Sequence, residues 1–206
     1  MGRMQLTLDA FDAASQDWLV QLTPRRRMSR AEYVAFVETN PDLRIERTAD
    51  GEVIVMPAAH SRTGSRNFEL AVQFGIWVRE DGRGTGFDSS TGFDLPNGSN
   101  RSPDISWVLN SRLDALTAGE QRDYYPLCPD FVIELRSGSD RLSRLRDKMQ
   151  EYIDNGASLG WLIDPIERTV HIYRPNRIAE FLEQPTAVNG DPELPGLTLD
   201  LAPVWK

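Results

Sequence analysis

Residues 129–153, PDFVIELRSGSDRLSRLRDKMQEYI, constrain the fold more than any other stretch of the chain. Phe131, Val132, Ile133 and Leu135 form the short apolar run of a buried strand, and a helix-like segment follows from about Ser139. The apolar stripe of that segment is Leu142, Leu145, Met149, Tyr152 and Ile153, at spacings of three and four. One residue does not belong: Glu134 interrupts the strand. An ionised carboxylate inside an apolar strand costs several kcal/mol unless it is paired, bound to a cation or protonated. Glu134 therefore requires a partner, and Lys148, bordering the helical stripe, has the reach to supply one along its apolar stem.

The rest of the chain supplies elements that can cover this strand. MSRAEYVAFVETNP reads as a short helix with Ser29 as N-cap, Glu32 closing a capping box and Pro41 beyond its end. LRIERTADGEVIVMP reads as two alternating strands around Ala49-Asp50-Gly51, with Glu46 near the end of the first. A long helix is expected from about Ser61 to the glycines around Gly82, carrying Phe68, Ala71, Val72, Phe74, Ile76 and Val78. Irregular strands or a hairpin follow, then a strand opening at Asp104 in RSPDISWVL, a polar connection with helical character through NSRLDALTAGEQRDYY, and two strands around Asp164-Pro165. This order predicts an α/β fold with one central mixed β-sheet flanked by helices, preceded by an N-terminal helix and β-hairpin. With 206 residues, a single domain over 24–206 is expected behind an N-terminal arm of residues 1–23.

The chain is 40% hydrophobic and 26% charged, and no apolar run approaches the roughly 20 residues that span a bilayer. The start lacks the pattern of a signal peptide, and Cys128 is the single cysteine, so a reducing, cytoplasmic setting is expected. The net charge of −8 argues against indiscriminate binding to polyanions. Positive charge is nevertheless clustered from Arg136 through Arg141, Arg144 and Arg146 to Lys148.

Asp104 heads its strand, where a sheet presents side chains to a cleft. If that strand neighbours the one holding Glu134, the two carboxylates converge, which is how proteins hold Mg²⁺ while leaving positions for water and phosphate. A lysine beside such a site stabilises the charge that grows on a phosphorane. An ion pair between Lys148 and Glu134 is the purely structural alternative. A pair of acids without a metal is the third, as in glycoside hydrolysis, although the basic cluster argues against it.

The ordered set RSPDISWV, CPDFVIELRSGSDRLSRLRDKMQEYIDNGASLGWLIDP and LPGLTLDL, with MSRAEYVAF and FDSSTGFDLPNG, resembles the Uma2 family of restriction-endonuclease-like proteins in the PD-(D/E)XK superfamily. That resemblance implies a metal-dependent endonuclease acting on nucleic acid, with DNA the expected substrate and Mg²⁺, or Mn²⁺ in its place, as the cofactor. By the same resemblance Pro103-Asp104 is the family's proline-aspartate, Glu134 the second principal metal ligand, and Lys148 the catalytic lysine carried on the following helix. Arg136 stands where the wider superfamily has its lysine, and an arginine cannot act as a general base. Glu69 on the long helix is a candidate for an additional acidic ligand, with Glu46 as its competitor. Arg136, Arg141, Arg144 and Asn67 are candidate substrate contacts. His60 and His171 read as a bystander and a structural residue, Asp140 as the cap of the helix bearing Lys148, and Asp164 as part of a turn. By analogy of fold a homodimer is expected, since many such nucleases cut two strands with two subunits.

Overall fold

The computed structural model describes residues 20–22, 27–56 and 59–206. The expected arm of residues 1–23 lies outside these, except for a strand β1 (Val20–Leu22). Helix α1 (Arg30–Glu38) follows, then strands β2 (Arg44–Arg47) and β3 (Val53–Met56), helix α2 (Ser61–Asp81) and strands β4 (Gly84–Asp88), β5 (Phe93–Asp94), β6 (Asn100–Arg101) and β7 (Ile105–Leu109). After a short helix α3 (Asn110–Asp114) come β8 (Phe131–Leu135), helix α4 (Leu142–Asp154), β9 (Leu159–Asp164), β10 (Thr169–Tyr173), β11 (Glu180–Glu183), β12 (Ala187–Asn189) and β13 (Thr198–Asp200).

Local chemistry accounts for several boundaries. Ser29 caps α1, its hydroxyl meeting the Glu32 amide while the Glu32 carboxylate takes the Ser29 amide at 3.0 Å. A reciprocal cap of this kind contributes about 1 kcal/mol. Helix α2 stops at Gly82, whose φ of 67° is the left-handed conformation that glycine adopts without steric cost. The sequence-based start of α4 needs correction. Asp140 is not its cap; the Asp140 carboxylate takes the Ser137 amide at 2.7 Å and its hydroxyl at 2.6 Å, and the helix opens at Leu142. The carboxylate is used inside the RSGSD loop, so it is not available to the helix.

The central sheet has the order β11-β10-β9-β8-β7-β4. It is mixed: β8 and β9 run parallel, joined through α4, and the other neighbours run antiparallel. A second sheet, β1-β3-β2-β6-β5, contains the expected hairpin, and β12 pairs with β13.

Alternation along the strands sorts side chains between two cores. Trp107, Phe131, Ile133, Trp161 and Ile163 face Leu70, Phe74 and Trp77 of α2 and the C-terminal leucines. Val108, Val132 and Leu162 face Met149, Tyr152 and Ile153 of α4. Glu134 has the parity of Val132, so it points to the α4 side. Helix α4 lies close over β9 because Gly160 has no side chain there; a Cβ would stand 2.5 Å from Met149 Cε.

Candidate active site

Two strands and one helix bring the predicted acids and lysine together. The antiparallel register of β7 and β8 pairs Ile105 with Ile133, and its next step sets Asp104 opposite Glu134. Residues so placed have Cβ atoms about 4.5–5.5 Å apart. The Asp104 carboxylate is anchored on one oxygen by the Leu135 amide at 2.8 Å and on the other by Asn67 Nδ2 at 3.2 Å. From α4, Lys148 Nζ reaches Glu134 Oε1 at 2.7 Å, and Tyr152, one turn further on, donates its hydroxyl to the same oxygen at 2.9 Å. Lys148 also lies 5.8 Å from the centre of the Tyr152 ring.

The acid that completes the group comes from the other sheet. Glu46 on β2 takes Lys148 Nζ at 2.9 Å, the Ser102 amide at 2.9 Å and Arg101 Nη1 at 3.1 Å. Arg101 in turn holds Glu151 of α4 at 2.6 Å. Glu69 is elsewhere: it accepts from Gln73, which bonds the Asp200 backbone, and it does not line the cleft described below. Of the two competing candidates, Glu46 is the one at the lysine.

These groups perturb one another. Burial, with Asp104 and Glu46 nearby, pushes Glu134 up to about 7 even though Lys148 opposes the shift. Burial likewise raises Asp104, against the Leu135 amide and Lys148. Glu46 is buried too, but Lys148 and Arg101 hold it below the usual carboxylate range. Burial alone lowers Lys148, but Glu134 and Glu46 outweigh it and raise it well above an ordinary lysine. It is a fixed cation here and not a base.

The site forms part of the wall of a cleft of about 1260 Å³ between the β2–β3 hairpin and α4. Asn67, Arg44, His60, Arg141 and Arg144 also line it. Arg136 does not. Its guanidinium is held at 2.7 Å by the fully buried carboxylate of Asp164, so an ion pair already engages it. Asp164 serves the turn as well, accepting from the Ile166 and Glu167 amides. His171 stacks edge-on with Phe181, at 4.9 Å between ring centres, away from the cleft.

Among the described residues, no group of three or more histidine, cysteine, aspartate or glutamate side chains is set to hold a metal ion. The donors present still suit a hard cation that keeps several waters. Asp104 and Glu134 offer carboxylate oxygens from adjacent strands, and Asn67 Oδ1 beside Asp104 is buried with no hydrogen-bond partner. Tyr152, Arg101 and Glu151 are participants that sequence spacing did not single out. Tyr152 had a signal, one turn beyond Lys148 on the same stripe; Arg101 had none beyond its place just before Pro103-Asp104.

A solved structure described as "a putative nuclease belonging to DUF820 from Anabaena variabilis ATCC 29413" superposes with a TM-score of 0.74. It is 23% identical, with 86% of this chain and 97% of that one covered. That similarity establishes the fold. No curated protein matches the chain. A family model does: the one described as "Uma2: Putative restriction endonuclease" matches residues 30–202, a span that holds every residue of the site. With the match extending over most of its length, the chain belongs to the Uma2 family.

Proposed function

We propose that the protein is a metal-dependent endonuclease that hydrolyses phosphodiester bonds in DNA. The observation that carries this reading is the placement of Asp104 opposite Glu134 with the Lys148 ammonium 2.7 Å from Glu134, in the wall of an open cleft. Asp104 and Glu134 would hold Mg²⁺ or Mn²⁺, with Glu46 behind them, and the ion when bound supplies Lewis-acid polarisation of the phosphate and a more acidic water. The chain's own residues do the rest. Lys148, kept charged by its two carboxylates, orients the attacking water and offsets negative charge growing on the phosphoryl oxygens. Tyr152 fixes the rotamer of Glu134 from below. Asn67 fixes Asp104. Arg141 and Arg144 line the α4 side of the cleft and would contact the phosphate backbone.

The test is cleavage of supercoiled and single-stranded DNA by the purified protein with Mg²⁺, Mn²⁺ or EDTA, beside Glu134→Ala and Lys148→Ala. Metal-dependent cutting that both variants lose supports the proposal. Equal traces in wild type and variants overturn it.

A second reading is favoured by one observation: among the described residues, the cleft is lined by more carboxylates than lysines and arginines. Such a lining repels a polyanion in the absence of bound cations. A nuclease fold kept as a binding or assembly module without turnover would show no cleavage with either metal and no change in melting temperature on adding them.

A further inference from the structure

Among the described residues, none covers the face of α2 opposite its buried side chains. Leu70, Phe74 and Trp77 turn inward, whereas Phe68, Val72 and Ile76 lie 71%, 43% and 55% exposed. These three recur every fourth residue and form a continuous apolar stripe about 12 Å long. Ala71 beside them is exposed too, and nothing stands within 4 Å of the position a Cβ would take at Gly64 or Gly75. The stripe is therefore flat, with small residues that let another helix approach closely. Isolated exposed hydrophobics are ordinary, whereas three in register on one helix form a contiguous apolar patch.

The charges that flank the stripe indicate the occupant. Arg62 and Glu80 are exposed and, among the described residues, neither is in an ion pair. They stand eighteen residues, or about five full turns, apart, so both project on the same side of the helix. Val72 lies near the midpoint between them. A second copy of α2 laid antiparallel about a two-fold axis between Ala71 and Val72 brings Arg62 of each copy to within one residue of Glu80 of the other, and Phe68 to within one residue of Ile76. A parallel arrangement would oppose like charges instead. The antiparallel arrangement also aligns the helix dipoles favourably.

We propose that the protein self-associates as a two-fold dimer through this face of α2, with Phe68, Val72 and Ile76 at its centre and reciprocal Arg62–Glu80 pairs at its ends. The interface is isologous, as two-fold symmetry requires. Asn67 and His60, which line the cleft, lie on the other side of α2, so both clefts stay open in the dimer. The inference does not depend on the nuclease reading.

The experiment is sedimentation equilibrium of the full chain over about 1–200 µM, a range that brackets micromolar dissociation constants. Circular dichroism of each variant checks that it is folded. The expected result is a concentration-dependent dimer that Val72→Glu weakens about 100-fold or more, with its melting curve retained because the site is exposed. Arg62→Glu and Glu80→Arg should each weaken it by about 5- to 10-fold, and the double reversal should restore it to within about 3-fold. Val72→Cys should form an intermolecular disulfide on mild oxidation, since the two copies of this residue lie beside the axis. A monomer across the whole range overturns the proposal. So does a dimer indifferent to Val72→Glu, or a double charge reversal no tighter than either single one. A monomer that dimerises only after removal of residues 1–19 also overturns it, because the chain's own leading segment then covers the stripe.

Discussion

The Lys148 ammonium lies 2.7 Å from Glu134 Oε1, and the same nitrogen lies 2.9 Å from Glu46 Oε1. One cation from α4 thus ties together carboxylates from two different sheets, with only 13% of its side chain exposed. Lys148→Met removes the cation and leaves two buried acids facing each other. Breaking a buried pair in this way costs about 3–5 kcal/mol. The deficit should grow as pH rises, because ionised acids are then left unpaired. Urea denaturation at pH 5 and pH 8 checks this; equal losses at both would show that packing rather than charge is responsible.

Glu134 is the reverse case, an acid whose folded value near 7 lies above its ordinary range. The folded state then binds a proton that the unfolded chain has already released. The stability contributed is full below the unfolded value and is lost as pH rises through about 7. Glu134→Gln resembles the protonated form. In EDTA the variant should match wild type at acid pH and melt a few degrees higher at pH 8, roughly 2–4 °C for each kcal/mol in a chain of this size. Scanning calorimetry across pH tests this, and a variant less stable than wild type at pH 8 would refute it. Nuclease activity should be lost in the same variant.

Glu46 and Glu69 separate cleanly by substitution. Glu69→Ala should leave stability within about 0.5 kcal/mol of wild type and activity unaltered, as for a surface residue. Glu46→Ala strips Arg101, Lys148 and the Ser102 amide of their shared acceptor, and should lower both. Parallel melting and cleavage measurements decide it, and the reverse ranking would return Glu69 to the site.

Cys128 is buried, and burial pushes its thiol up to about 12. The thiolate is the reactive form. An aromatic disulfide reagent at pH 8 should therefore label the native protein far more slowly than the urea-unfolded protein, and rapid native labelling would contradict the packing of this residue against α4.

Gly160 sets the height of α4 over the sheet. Gly160→Val forces Met149 out of its place and should cost about 1–3 kcal/mol by overpacking. Because Lys148 adjoins Met149, activity should fall further than stability alone explains. A valine variant with unchanged denaturation midpoint would show that Met149 moves freely.

The elements were readable from local patterns. The Ser29 cap, the hairpin at Gly51, the stop at Gly82 and the α4 stripe each depend on residues within a few positions of one another, where backbone geometry and periodicity act directly. The misfit of Glu134 in an apolar strand was equally local, and so was the placement of Lys148 within its reach. What sequence could not supply was which distant groups meet. Glu46 and Lys148 are 102 residues apart, and their contact depends on how the second sheet seats against α4. Glu69 and Glu46 look alike as isolated acids; only the packing of α2 turns one away from the cleft. Asp140, read as a helix cap, bonds Ser137 instead, and Arg136, read as a substrate contact, is paired with Asp164 from a different strand. Local propensity acts over one or two turns of chain, whereas the identity of a shared cation's partners is set by strand register and layer packing, and those exist only in the folded whole.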